Sequence, residues 1–271
     1  MICKMPKTLV IAEAGVNHNG SLDLALQLID AAADAGADIV KFQSFNAESL
    51  VTKTAKKAPY QQKNYSNDED QFSMLKNLEL SDADHYKILE HCEERNILFL
   101  STAFDDPSFQ LLCKLNLPLW KIPSGELTNL LYIQSVASQN KQVILSTGMA
   151  TISDIDLSLR ALIDLGVQRS DIILLHCTSE YPAPFDEVNL LAIQTLKSTF
   201  GVSVGYSDHT EGICVAPLAV ALGATVIEKH LTLDCKMSGP DHEASVEPDD
   251  FTISFTSILL ILLLLLLLIQ L

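Results

Sequence analysis

TLVIAEAGVNHNGSLDLALQLIDAAADAGADIVKF, residues 8–42, holds one strand–helix–strand unit. Residues 8–14 (TLVIAEA) form a short, nearly continuous apolar run, the pattern of a strand buried on both faces. Ser21 stands where a helix N-cap belongs, and residues 22–33 carry helix formers with apolar side chains at three- and four-residue spacing. Residues 37–42 (ADIVKF) then read as a second strand.

The alternation continues to residue 230. Helical stretches at 82–94, 107–114, 128–138, 152–165, 188–198 and 212–222 are followed in turn by strand-like runs at 97–101, 119–122, 142–146, 171–176, 202–206 and 225–230. Eight strands separated by seven helices imply a parallel sheet with helical crossovers, and about 250 residues is the size of an α/β (β/α)8 TIM barrel. The alternative is a doubly wound open sheet, which usually opens on a glycine-rich phosphate turn; neither GxGxxG nor GxxxxGK[ST] occurs. Residues 51–80 form a long polar excursion expected to sit over the barrel mouth as a lid or partner contact.

With 271 residues and 48% hydrophobic content the chain can bury a sizeable core. Eighteen Lys and Arg against 34 Asp and Glu give a net charge of −16, which argues against nucleic acid and against a surface built for anionic lipid. A local pair of lysines could still hold an anionic substrate. The cysteines Cys3, Cys92, Cys113, Cys177, Cys214 and Cys235 form no CxxC pair, and MICKMPK at the N-terminus has no signal-peptide apolar region. Reduced thiols in a cytoplasm are the simplest expectation.

In a barrel, chemistry belongs at the C-terminal ends of the strands. Those ends carry Glu13; Lys41 and Gln43; Ser101 and Thr102; Lys121, Ser124 and Glu126; Ser146 and Thr147; His176, Thr178, Ser179 and Tyr181; Ser207, Asp208 and His209; and Glu228, Lys229 and His230. One Ser or Thr at a loop start is an ordinary cap or turn, but polar groups ending every strand are not required by a structural barrel. Lys41 and Lys121 read as a mouth salt bridge or as an anion clamp, which with Thr102, Ser124, Ser146, Ser179 and Ser207 suits a small phosphorylated carboxylate. A Schiff-base lysine is the competing chemistry. His209 and His230 end adjacent strands about 4.8 Å apart, so both imidazoles can reach one ion. With the Glu13 carboxylate nearby, the set suits Mn, Zn, Fe or Co rather than Ca. His176, late in its strand, is expected to pack. His85 and His91 are expected on a helix surface, and Trp120 and the phenylalanines in the core.

Ten segments carry a resemblance: IAEAGVNHNGS (11–21), VKFQSF (40–45), KTAKKAPYQQKN (53–64), STAFD (101–105), WKIPSGELTN (120–129), ILSTGMAT (144–151), HCTSEYPAPFDEVNL (176–190), GYSDHT (205–210), IEKHLTLD (227–234) and MSGPDHEASVEPDDF (237–251). Together they resemble the N-acetylneuraminate (sialic acid) synthase family, bacterial type, whose relatives make legionaminic and pseudaminic acids. The resemblance implies condensation of phosphoenolpyruvate with the open-chain aldehyde of N-acetylmannosamine or a related N-acylated hexosamine, with phosphate lost by C–O cleavage. It implies a divalent metal on His209 and His230, typically Mn2+ with Mg2+ or Co2+ as alternatives, and Glu13 as a proton-transfer or water-positioning group. Lys41, Thr102, Lys121, Ser124, Ser146 and Ser207 would hold phosphoenolpyruvate, with Ser179 at a place often filled by Asn. Gln43, Glu126, Tyr181 and Asp241 would hold the sugar.

The family pattern continues past EPDDF (247–251) into an amphipathic helix, a linker and an antifreeze-like domain that reaches into the partner of a homodimer. Here residues 251–271 carry no charge, and 258–269 is an unbroken Ile/Leu run. The expected organisation is therefore a synthase barrel over 1–250 without the antifreeze-like domain. The tail at 251–271 reads as a membrane anchor, as an apolar substitute for the eighth helix, or as a damaged or artefactual end. The alternative function is an impaired, truncated remnant that binds phosphoenolpyruvate without turnover.

Overall fold

The computed structural model describes residues 8–57, 61–62 and 70–269. Cys3 and parts of the 53–64 segment and of the 51–80 excursion lie outside the described residues.

The apolar runs become β1 (Leu9–Gly15), β2 (Ile39–Ser44), β3 (Leu98–Ala103), β4 (Leu119–Ile122), β5 (Gln142–Ser146), β6 (Ile172–His176), β7 (Ser203–Asp208) and β8 (Val226–His230). They form one parallel sheet in the order β3-β2-β1-β8-β7-β6-β5-β4, and β3 and β4 meet to bring it to near closure. The chain is a (β/α)8 barrel. Its helices are α1 (Leu22–Asp34), α2 (Ala47–Leu50), α3 (Gln71–Leu78), α4 (Asp82–Glu94), α5 (Asp106–Leu115), α6 (Leu130–Ala137), α7 (Ile152–Asp164), α8 (Ala192–Phe200), α9 (Val215–Ala221) and α10 (Pro248–Ile269).

Local chemistry sets the helix starts. Ser21 accepts from the Leu24 amide, and Ser81 with Asp84 and Thr151 with Asp154 form capping boxes. Two expected helices begin later than periodicity suggests. The stretch at 188–198 starts at Ala192, because a 3-10 turn at Phe185–Glu187 and a left-handed Asn189 occupy its approach. The stretch at 212–222 starts at Val215, after a left-handed Gly212.

The pleat sorts the strand residues. Lys41 and Gln43 face the barrel interior, whereas Ser44 faces α4, where its hydroxyl lies 2.8 Å from His85 Nε2 and 2.7 Å from Ser101 Oγ. His85 is thus buried between sheet and helix, not on the surface as expected, because two outward-facing strand hydroxyls give its ring a polar partner there. Phe185 also departs from expectation: it is 61% exposed on its turn.

The last helix begins at Pro248, so the passage from charged chain to apolar tail falls within one helix. α10 packs against α9, buries Phe251 and Ile258, and lays the Phe255 ring over Gly36 at the end of α1. It therefore fills the gap between α9 and α1, the place of an eighth barrel helix. Its other face exposes Ile253, Leu259, Leu260, Leu263, Leu264 and Leu267. By length and composition alone this helix could cross a membrane.

His18 provides a test of the packing above β1. Its Nδ1 accepts the Gly20 N–H at 3.0 Å, its ring lies 6.0 Å from that of Phe42, and burial pushes its pKa down to about 4. The unfolded chain binds a proton near pH 6.5 that the folded chain refuses, so stability is lost as pH falls from 6.5 toward 4. Between pH 7 and pH 5 this one group should cost about 2 kcal/mol. Urea denaturation at both values should show His18→Gln losing about 2 kcal/mol less than the parent chain; equal losses would contradict a buried neutral ring.

Candidate active site

A cavity of about 400 Å3 opens where the strands end. Its floor is a row of alternating buried charges. Lys41 Nζ lies 2.7 Å from Glu13 Oε2 and 3.7 Å from Glu228 Oε2, and Lys121 Nζ lies 3.1 Å from Glu228 Oε1. Register produces this row. Glu13 pairs with Lys41 on one side and His230 on the other, so three inward side chains share one level. Glu228 sits one pleat below His230, opposite Ser207, whose hydroxyl donates to Glu228 Oε1 at 3.0 Å.

The charges fix one another. Burial alone would raise the Glu228 carboxyl, but Lys121 and Lys41 hold it well below the usual carboxylate range. Burial outweighs Lys41 at Glu13 and raises that carboxyl, with Glu228 adding to the rise. Burial pulls the Lys41 ammonium down, and Glu13 and Glu228 more than reverse it. Lys121, with Glu228 as its close partner, is lowered by burial.

Beside this row stand two imidazoles with ring centres 5.6 Å apart. The His209 Nδ1–H donates to the Thr178 carbonyl at 2.6 Å, so the other nitrogen, Nε2, is left as an acceptor. Nε2 lies 3.2 Å from the Tyr181 hydroxyl, which donates to it, and 3.1 Å from Ser207 Oγ. Burial pushes His209 down to about 4. Burial, His209 and Lys41 take His230 well below its ordinary value. The buried His230 Nδ1 has no hydrogen-bond partner among the described residues and lies 4.0 Å from Asp241 Oδ2. Burial and the Glu13 charge push Asp241 up to about 7.

On the far wall the Ser124 hydroxyl accepts the Gly148 N–H at 3.0 Å. A Cβ on Gly148 would stand 2.3 Å from Ser179 Oγ and 2.9 Å from Ser124 Oγ, so only glycine lets this loop close on the two serines. Lys41 Nζ reaches Thr102 Oγ1 at 3.5 Å, and Gln43 Nε2 donates to Glu13 Oε1 at 3.4 Å.

The NeuB family model matches residues 28–261. The chain belongs to the NeuB family. Among its relatives, the N,N'-diacetyllegionaminic acid synthase of Campylobacter jejuni is 57% identical over 254 residues, covering 94% of this chain and 76% of that protein. The enzyme of the same name from Legionella pneumophila is 50% identical over 243 residues, 89% of this chain and 68% of its own length. The crystal structure of an N-acetylneuraminic acid (sialic acid) synthetase from Leptospira borgpetersenii, in complex with citrate, superposes with a TM-score of 0.84 at 36% identity, covering 96% of this chain and 85% of that one.

In this NeuB-family barrel the cavity gathers Glu13, Lys41, Gln43, Thr102, Lys121, Ser124, Ser146, Ser179, Tyr181, Ser207, His209, His230 and Asp241. Glu126 does not line it; it lies on a 3-10 turn, where its carboxylate accepts from Asn129 Nδ2 at 2.6 Å. Glu228 lines the cavity at the centre of the charge row, although sequence reading places it merely among three polar residues ending β8. Its signal is parity: two residues before His230, it shares that residue's inward face, whereas Lys229 points out to Asp208 at 3.2 Å.

Removing the Glu228 carboxylate leaves the buried Lys121 without its close carboxylate, while Lys41 keeps Glu13. Glu228→Ala should cost about 3–5 kcal/mol in urea denaturation at neutral pH. Glu228→Gln, which keeps an acceptor for Lys121 and Ser207, should cost clearly less. An alanine variant as stable as the parent would show that the charge row holds nothing together.

Proposed function

We propose that this chain is a nonulosonic acid synthase, joining phosphoenolpyruvate to an N-acylated hexosamine with metal assistance and releasing phosphate. The observation that carries the reading is one cavity holding two buried lysines, a set of hydroxyls and two neutral imidazoles at the strand ends, in a chain whose relatives are legionaminic and sialic acid synthases.

Lys41 and Lys121 supply the charge for phosphate and carboxylate, and Thr102, Ser124, Ser146, Ser179 and Ser207 supply donors around them. Glu13 and Glu228 offset part of the lysines' charge, so hydrogen bonds donated by the hydroxyls add to the hold on the anion. C3 of phosphoenolpyruvate forms the new bond to the aldehyde carbon, and the aldehyde oxygen gains a proton. Water adds at C2 and gives up a proton that balances the one gained by the aldehyde oxygen, and the C2–O bond to phosphate breaks as the C2 carbonyl forms. Glu13, raised by burial and held against Lys41, is placed to hold or move a proton at the reacting carbons. Gln43, Tyr181 and Asp241 line the side left for the sugar.

The imidazoles fit a divalent first-row metal. His209 presents Nε2 with its other nitrogen anchored on a carbonyl, and His230 has a buried nitrogen without a partner beside a carboxylate. Among the described residues no three His, Cys, Asp or Glu side chains form a complete cage, so water and substrate oxygens would complete the ligand set. A bound Mn2+ would act there as a Lewis acid on the aldehyde oxygen. Lys41 and Lys121 each lie against a carboxylate, Lys41 on Glu13 and Lys121 on Glu228, which supports their reading as an anion clamp over a Schiff-base lysine.

The test is phosphate release from phosphoenolpyruvate with Mn2+ and an N-acylated hexosamine. Release should require both sugar and metal, stop with EDTA, and fall at least 100-fold in His209→Ala, whose folding is checked by circular dichroism. Release without sugar, or turnover unchanged in that variant, would contradict the reading. Borohydride with pyruvate should add no mass to either lysine.

A further inference from the structure

Directly behind the two imidazoles, outside the barrel, lies a buried ion pair that takes no part in the chemistry above. Asp208 and Lys229 each stand one residue before a histidine of the site. The alternation of a strand turns them away from the cavity, while His209 and His230 line it. Asp208 is fully buried, Lys229 is 2% exposed, and their charged atoms lie 3.2 Å apart. The outward residues before them on β7 and β8 are Val204, Tyr206 and Ile227, as a layer covered by helices requires. A charged pair is the exception there, and each charge is costly to bury without its partner.

The pair stands where the ladder ends. The last register pair between β7 and β8 is Asp208 with Lys229, so His209 lies one residue past it. His230 is held from the other side: it pairs with Glu13 of β1, and its carbonyl accepts the Val246 N–H at 3.0 Å. The His209 carbonyl accepts the Ala183 N–H at 2.8 Å, which ties it to the loop after β6. Side chains join these two halves. Asp208 Oδ1 accepts the Thr210 N–H at 3.0 Å and the Thr210 hydroxyl at 2.7 Å, closing a turn around His209. Lys229 Nζ donates to the Thr210 carbonyl at 2.5 Å. One ammonium on β8 thus grips both the residue before His209 and the residue after it.

A buried ion pair is a weak stabiliser, because well-packed apolar residues of similar volume often serve as well or better. What this pair adds is a single arrangement: a carboxylate and an ammonium satisfied by each other and by Thr210 fix how the two strand ends stand. We propose that Asp208 and Lys229 are positioning residues, a clamp behind the barrel that sets the separation and aim of the His209 and His230 imidazoles for a divalent cation. This rests on the metal reading of that site and adds the residues that act through its ligands.

The experiment titrates the intact chain with Mn2+ alone and reads the free ion by electron paramagnetic resonance. Removing one partner would strand a buried charge, so both are replaced together. Asp208→Val with Lys229→Met should keep the circular dichroism of the parent and weaken Mn2+ binding by about tenfold or more. Asp208→Asn with Lys229→Met keeps an acceptor for Thr210 and should fall between that variant and the parent. Ser44→Ala, which breaks the outward contact with His85 and shares no partner with this pair, should leave Mn2+ affinity within about twofold of the parent. A merely structural pair would cost stability and leave the affinity of the folded protein where it was. Should the first double variant fail to fold, the near-isosteric second decides in the same way. Parent-like Mn2+ binding in a folded double variant, or an equal loss in Ser44→Ala, overturns the clamp and leaves the metal site standing. A parent chain that takes up no Mn2+ overturns the metal reading and the clamp with it.

Discussion

Two ammoniums and two carboxylates stand in a row at the centre of this barrel, all nearly inaccessible to water. Each is costly to bury alone and tolerable only beside its neighbours. Glu13, Lys41, Lys121 and Glu228 come from β1, β2, β4 and β8, so the row joins both sides of the sheet. Ser207 of β7 joins through its hydroxyl. The arrangement positions the cavity floor before any substrate arrives, which is what a site built on rigid elements requires.

Much of this was legible in the chain because a closed parallel barrel leaves little freedom. Once eight apolar runs alternate with helices, the residues ending those runs must surround one mouth, and Lys41, Lys121, His209 and His230 are found there. What the sequence conceals is finer than the order of elements. Glu228 and Lys229 are adjacent and both charged, yet one faces the barrel and the other faces Asp208; only the pleat separates them. His85 looks like a helix-surface residue until Ser44 and Ser101 are seen pointing outward at it. Glu126 ends the right strand, but a tight turn directs its carboxylate to Asn129.

The segment after β2 is more than a polar excursion. Part of it folds as α3 and returns Met74, Leu75 and Leu78 to the cavity lining, together with the polar Gln61 and Gln71. The last helix shows a different balance. Phe251, Phe255 and Ile258 seat it between α9 and the end of α1, while the Leu-rich outer face extends the apolar pattern all round.

The central claim is that one cavity holds an anion on its lysines and a metal on its histidines. Crystals of the protein soaked with Mn2+ and phosphoenolpyruvate, measured at the manganese absorption edge, test it most directly. The account predicts an anomalous peak beside the His209 and His230 imidazoles and phosphate density against Lys41 and Lys121. A manganese peak elsewhere, or phosphoenolpyruvate bound away from the lysine pair, would contradict it.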